Sequence, residues 1–158
     1  MKRIAFVLTI MLMLAMTVSA QWVSDSQENL LTGETTFYTA SVAEISQGTL
    51  SDATILIRWL PGDEIEAFVS WGGYGVMDKA PTYIRYGTEK VTDLPIECLS
   101  SDKEAQFLLY PDRFLKKIRS MNPDDTFVIQ SVRAVGYTNT VARWKVGNID
   151  SVLKASGR

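Results

Sequence analysis

The feature that most constrains this chain is a succession of short runs rich in β-branched and aromatic residues, each cut off by glycine or proline. The clearest pair is 53–60 (ATILIRWL) and 65–71 (IEAFVSW), separated by Pro61-Gly62-Asp63. Proline presets φ for a turn and glycine supplies the permissive conformation after it, so the two runs should return on each other as a hairpin. Residues 36–45 (TFYTASVAEI) alternate, with Phe37, Thr39 and Ser41 on one face and Tyr38, Ala40 and Val42 on the other. Trp22 and Val23 start an opening strand, 27–35 is a polar loop, 82–86 is a strand ended by Gly87, and 90–99 carries a strand interrupted by Pro95. Residues 105–110 form another strand, and 126–135 with 138–146 read as a closing hairpin around Gly136-Tyr137.

Two segments have helical periodicity. Pro111-Asp112 opens a helix over 112–121 with Phe114, Leu115, Ile118 and Met121 on one face and Arg113, Lys116 and Lys117 on the other, stopped by Asn122-Pro123. Asn148 is expected to cap a last short helix carrying Ile149, Val152 and Leu153. About seven to nine short strands with two short helices imply a mainly β fold, an antiparallel β-sandwich or partly closed barrel. The 112–121 helix should cover one end or face of it.

The N-terminus reads differently. Lys2 and Arg3 precede an uncharged run over 4–16, and Val18-Ser19-Ala20 puts small residues where a signal peptidase reads them. The apolar run is shorter than the roughly 20 residues that cross a hydrocarbon core. Residues 1–20 are therefore expected to be a cleavable signal peptide. Gln21 would begin a single β-rich domain, 21–158, that is periplasmic or secreted and has no stable membrane span.

Composition then excludes several function classes. Without Lys2 and Arg3, 14 of the 16 basic residues remain against 18 acidic ones, a formal charge of −4 spread along the chain. That is no nucleic-acid footprint. Histidine is absent, which removes the commonest general base and the commonest ligand of catalytic zinc. Cys98 is the only cysteine, so no disulfide can form within the chain, and its neighbours Ile96 and Leu99 suggest a buried thiol.

Candidate sites are few. Ser100 and Lys103 fit S-x-x-K, in which a lysine activates a serine one helical turn away, but the S-D-N and K-T-G companions are missing. Asp63, Glu64 and Glu66 could hold a hard cation, yet a solvated hairpin turn is acidic for ordinary reasons and the EF-hand spacing is absent. No catalytic, metal or cofactor residue is assigned. Arg58 and Arg85 lie among apolar strand residues and should pair with Glu66 or Asp78.

Trp59 belongs to the most apolar strand and reads as core, whereas Trp71 and Tyr74 border Gly72, Gly73 and Gly75. Exposed rings beside mobile backbone make a glycan-stacking platform, so Trp71 and Tyr74 are candidate ligand contacts and Trp71→Ala should barely affect stability. The basic helix face of Arg113, Lys116 and Lys117 is the second candidate contact surface.

One order of features resembles a known family. It runs from Trp22 through Thr32, Thr35 and Thr36 to the arginine-bearing strands Leu56-Ile57-Arg58 and Tyr83-Ile84-Arg85-Tyr86. The F-L-x-x-I helix (Phe114, Leu115, Ile118), Phe127-Val128-Ile129, and Ala142-Arg143-Trp144-Lys145-Val146-Gly147 before Ile149-x-x-Val152-Leu153 follow. This is similar to the VasI-like family of small exported proteins associated with type VI secretion clusters and prophages. The family's cysteines are replaced: Trp59 stands at the first position and the chain ends Ala155-Ser156-Gly157-Arg158, so the family disulfide is lost. The resemblance implies a non-enzymatic accessory or binding role in the cell envelope, with another envelope or secretion-system protein as partner. A peptidoglycan-binding module using Trp71 and Tyr74, and a small hydrolase, are the alternatives.

Overall fold

A computed structural model describes residues 22–73, 75–77, 81–98, 105–134, 136 and 138–158. The expected signal at 1–20, and Tyr74, Asp78, Ser100, Lys103 and Tyr137, lie outside the described residues, as does the Cys98 side chain.

Among the described residues, eleven strands form two antiparallel sheets. One, in the order β1-β2-β4-β5-β9-β8, contains β1 (Val23–Glu28), β2 (Thr35–Val42), β4 (Thr54–Trp59), β5 (Ile65–Ser70), β9 (Ala105–Leu108) and β8 (Ile96–Cys98). The other, in the order β3-β11-β10-β6-β7, contains β3 (Ile45–Gln47), β11 (Asn139–Lys145), β10 (Thr126–Val132), β6 (Tyr83–Tyr86) and β7 (Thr92–Asp93). The sheets do not close into a barrel; this is a sandwich with helices α1 (Pro111–Arg119) and α2 (Ile149–Ala155).

Register shows how alternation makes the core. Ser41 lies opposite Ile55, Ile55 opposite Val69, and Val69 opposite Gln106, so one row crosses four strands on the inner face. The facing sheet contributes Ile84, Ile129 and Ala142, again in one register row. Residues of both rows belong to a single apolar cluster. Burying such rows, at about 25 cal/mol per Å² of apolar surface, is the main force holding the sheets together.

Three buried indoles supply polar pins. Trp22 Nε1 donates to the Val146 carbonyl at 2.8 Å, Trp144 Nε1 to the Ser41 carbonyl at 3.1 Å, and Trp71 Nε1 to Gln106 Oε1 at 2.8 Å. The first two join segments far apart in sequence, and the second spans the two sheets. Gln106 also crosses the interface: its Nε2 donates to Ser131 Oγ at 2.9 Å and lies 3.4 Å from Thr82 Oγ1. Buried polar groups of this kind are costly unless partnered, and here they are.

The chain changes sheets where ladder bonding must stop. The strand expected over 36–45 is two strands. After Val42 the backbone leaves the first sheet, Ala43 N donating to Ala53 O and Glu44 N to Arg143 O, before β3 joins β11 in the second. The segment over 90–99 divides in the same way: β7 pairs with β6, Leu94 N donates to Thr82 O, and β8 pairs with β9 after Pro95. Proline has no N–H to offer a ladder, so the switch falls beside it.

Both helices pack by their apolar stripes. Phe114, Leu115 and Ile118 of α1 are buried, with Phe114 edge-on to Phe127 at 5.5 Å and Phe127 stacked on Trp144 at 5.6 Å. Asn148 precedes α2, but its side chain does not cap the helix; Oδ1 accepts the Trp22 backbone N–H at 2.9 Å instead. Asp150 of α2 accepts hydrogen bonds from Lys154 and Arg119, which hold its carboxyl below the ordinary range and tie α2 to α1.

Candidate functional site

The sheet switch at Leu94-Pro95 and the helix α1 leave a groove of about 380 Å³ between them. Its apolar floor is Ile84, Leu94, Leu108 and Phe114, and its rim carries Tyr86, Tyr110, Asp93, Arg113 and Lys117. The floor follows from strand alternation and the buried helix stripe. The rim follows from helical spacing: Arg113 and Lys117 are one turn apart and so share a stripe along α1.

The charges are unequal in freedom. Lys117 Nζ donates to Glu89 Oε1 at 2.6 Å and lies 5.5 Å from the Tyr86 ring centre. Arg113 instead sits over the Tyr110 ring at 4.7 Å, a cation–π contact that leaves its guanidinium fork turned to no carboxylate among the described residues. Burial, and then the nearby charge of Glu89, push the Tyr86 phenol up to about 12, so it stays a neutral O–H at any physiological pH. The groove thus offers a cationic fork, two phenols and apolar surface. Such an inventory recognises a segment that is apolar with an acidic group beside it.

The proposed contact residues fare differently. Arg113 and Lys117 come together on this groove. Lys116 faces away, lining a separate shallow depression with Asp112, Leu115 and Arg119. Trp71 must be corrected: it is fully buried, with its N–H bonded to Gln106, and cannot stack on a ligand. Gly72 beside it does not loosen the backbone either. Gly72 is buried at φ +62, its carbonyl accepts the N–H groups of both Leu50 and Ser51, and a Cβ there would collide with the Ser51 carbonyl. Gly72 permits close approach, not mobility. Trp59 is core as expected, at 5% exposure.

Arg58 pairs with Glu66 directly across the β4–β5 ladder, as anticipated, and Arg85 is exposed on β6. Of the acidic turn, Asp63 pairs with Arg158 while Glu66 holds Arg58. Among the described residues no group of three or more acidic or cysteine side chains is placed to hold a metal ion. No described helix is long and apolar enough to cross a membrane.

Sequence reasoning missed Tyr86, Tyr110 and Asp93 as groove residues. Pro95 was the available signal, because a proline that breaks a strand leaves room beside the break. Comparison with models of protein families, with curated proteins and with solved structures finds no match.

Proposed function

We propose that this is an exported, non-enzymatic accessory or binding protein of the bacterial cell envelope, associated with type VI secretion, which holds a protein partner in the α1 groove. The observation that carries the binding part is Arg113 stacked on Tyr110 at the rim of an apolar floor. Aromatic and arginine side chains around a desolvated pocket are the usual anchors of protein contacts. The export part rests on the signal pattern at 1–20, and the secretion-system link on the VasI-like resemblance. The glycan reading loses Trp71 to the core and is not carried forward.

The test places a photo-reactive amino acid at Tyr110 in cells producing the protein. An adduct should form in the envelope fraction on a chain whose mass begins at Gln21, and Arg113→Glu with Lys117→Glu should abolish it. Adducts indifferent to charge reversal would remove the groove from consideration. An unprocessed cytoplasmic chain would remove the envelope.

A further inference from the structure

The most exposed large apolar side chains described are Leu30 and Leu31, adjacent in sequence and 93% and 96% exposed. They stand at the tip of the β1–β2 hairpin. Isolated exposed leucines are ordinary, but two together on a protruding tip form an anchor-like feature. The turn beneath them is well bonded. Asn29 O accepts the N–H groups of Thr32 and Gly33 at 3.1 and 2.7 Å, and Asn29 Oδ1 accepts that of Leu31 at 3.0 Å. A tip held in this way loses little freedom when it docks.

Charge narrows what could receive it. Glu28 and Glu34 straddle the leucines, Asp25 lies further along β1, and no lysine or arginine occurs between Arg3 and Arg58. Of the cations beside β2, Arg158 over the Phe37 ring is paired with Asp63, and Arg58 opposite Tyr38 is paired with Glu66. An acidic, leucine-tipped turn is repelled by an anionic lipid surface and suits an apolar cleft with cations at its rim. The α1 groove of this same chain has those properties. Of the cations on helix α1, Arg113 and Lys117 line it beside the apolar floor, while Lys116 and Arg119 belong to the other depression. Asp93 and Glu89 moderate that charge, so Arg113 is the cation an incoming glutamate would meet first.

The tip cannot reach the groove of its own molecule by following the sheet. β1 is one edge of the six-stranded sheet, whereas β9, which brings Leu108 to the groove, lies beside the other. We infer that the Leu30-Leu31 tip of one copy docks in the α1 groove of the next, so that copies associate head to tail. This inference rests on the reading of the groove as a protein-binding surface and names its occupant as a second copy. Contacts between two different patches of a chain are heterologous and can propagate beyond a dimer.

The experiment measures the mass of the purified exported protein by sedimentation from about 10 μM to about 1 mM, a range suited to weak assembly. The expected mass rises beyond that of a dimer. Leu30→Ser with Leu31→Ser, at an exposed tip that folding does not need, and Arg113→Glu with Lys117→Glu should each weaken association about tenfold or more. Mixed together, the two variants keep one intact tip and one intact groove between them, and should form pairs that grow no further. Wild-type protein that stays monomeric overturns the inference, whether or not it binds zwitterionic vesicles. If it does so while Tyr110 still cross-links to a different envelope protein, the groove reading stands and only its occupant changes. Association unaffected by Arg113→Glu with Lys117→Glu overturns both.

Discussion

Replacing Trp71 by alanine empties a site from which solvent is wholly excluded, so its cost can be worked from what the indole touches. Truncating a buried Phe or Trp to Ala costs about 3–5 kcal/mol through lost transfer energy and the cavity left behind. Gln106 Oε1 would also lose the N–H that it accepts at 2.8 Å, and a stranded buried acceptor adds about 1–3 kcal/mol. The two contributions overlap, so we expect a loss of about 4–6 kcal/mol, comparable to the whole stability of many domains of this size. Trp71→Phe separates them: it keeps most of the ring and strands only Gln106, for about 1–3 kcal/mol. Gln106→Leu strands the indole N–H instead, while Thr82 and Ser131, 3.2 Å apart, retain each other. The double variant Trp71→Phe/Gln106→Leu removes both polar ends, and should be about 1–2 kcal/mol more stable than the sum of its parts. Urea melts of the four proteins give the coupling directly. A Trp71→Ala loss below about 1 kcal/mol, the outcome expected of an exposed ring, would refute the placement of Trp71 in the core.

Gly72→Ala should cost more than about 2 kcal/mol, since it combines a left-handed backbone with collision against Ser51, whereas Gly62→Ala, at φ +89 with open space around it, should cost only about 1–2 kcal/mol in thermal or urea melts. Tyr86 binds its proton more tightly folded, at about 12, than its ordinary 10.0, so its contribution is complete below about pH 10 and is lost as pH rises towards 12. Urea melts across that window should lose part of their pH dependence in Tyr86→Phe; an unchanged slope would place the phenol in solvent. A double-mutant cycle on Arg58 and Glu66, each about a third exposed, should return a coupling below about 1 kcal/mol because solvent screens the pair.

Much of the fold was readable residue by residue. The Pro61-Gly62-Asp63 turn gave the expected β4–β5 hairpin, and the structure sets Arg58 opposite Glu66 in it. The pattern Phe114, Leu115, Ile118 gave the buried face of α1, and the closing hairpin pairs Thr126 with Lys145 through to Val132 with Asn139. Less of the candidate site was readable. Arg113 and Lys117 were named, but on the same basic face as Lys116, which α1 turns to a different depression. Asn148 was expected to cap the last helix, yet its Oδ1 accepts the backbone N–H of Trp22, more than a hundred residues away.

The sequence by itself determined what depends on neighbours along the chain: where the hairpins turn, which side of a strand is apolar, and where two amphipathic helices begin. Those properties follow from φ/ψ preferences and side-chain periodicity within a few residues. Only the tertiary structure decided which sheet each strand joined and what covered each apolar side. Gly72 lies beside Trp71 in either reading. The backbone of Ser51 packing against that glycine, and Gln106 arriving from β9, made the indole core instead of surface. Likewise Pro95 marked a break, but the groove exists because the chain crosses there from one sheet to the other and α1 packs alongside. Burial is a property of contacts between distant segments, and a local pattern can show that a side chain needs cover without showing what will provide it.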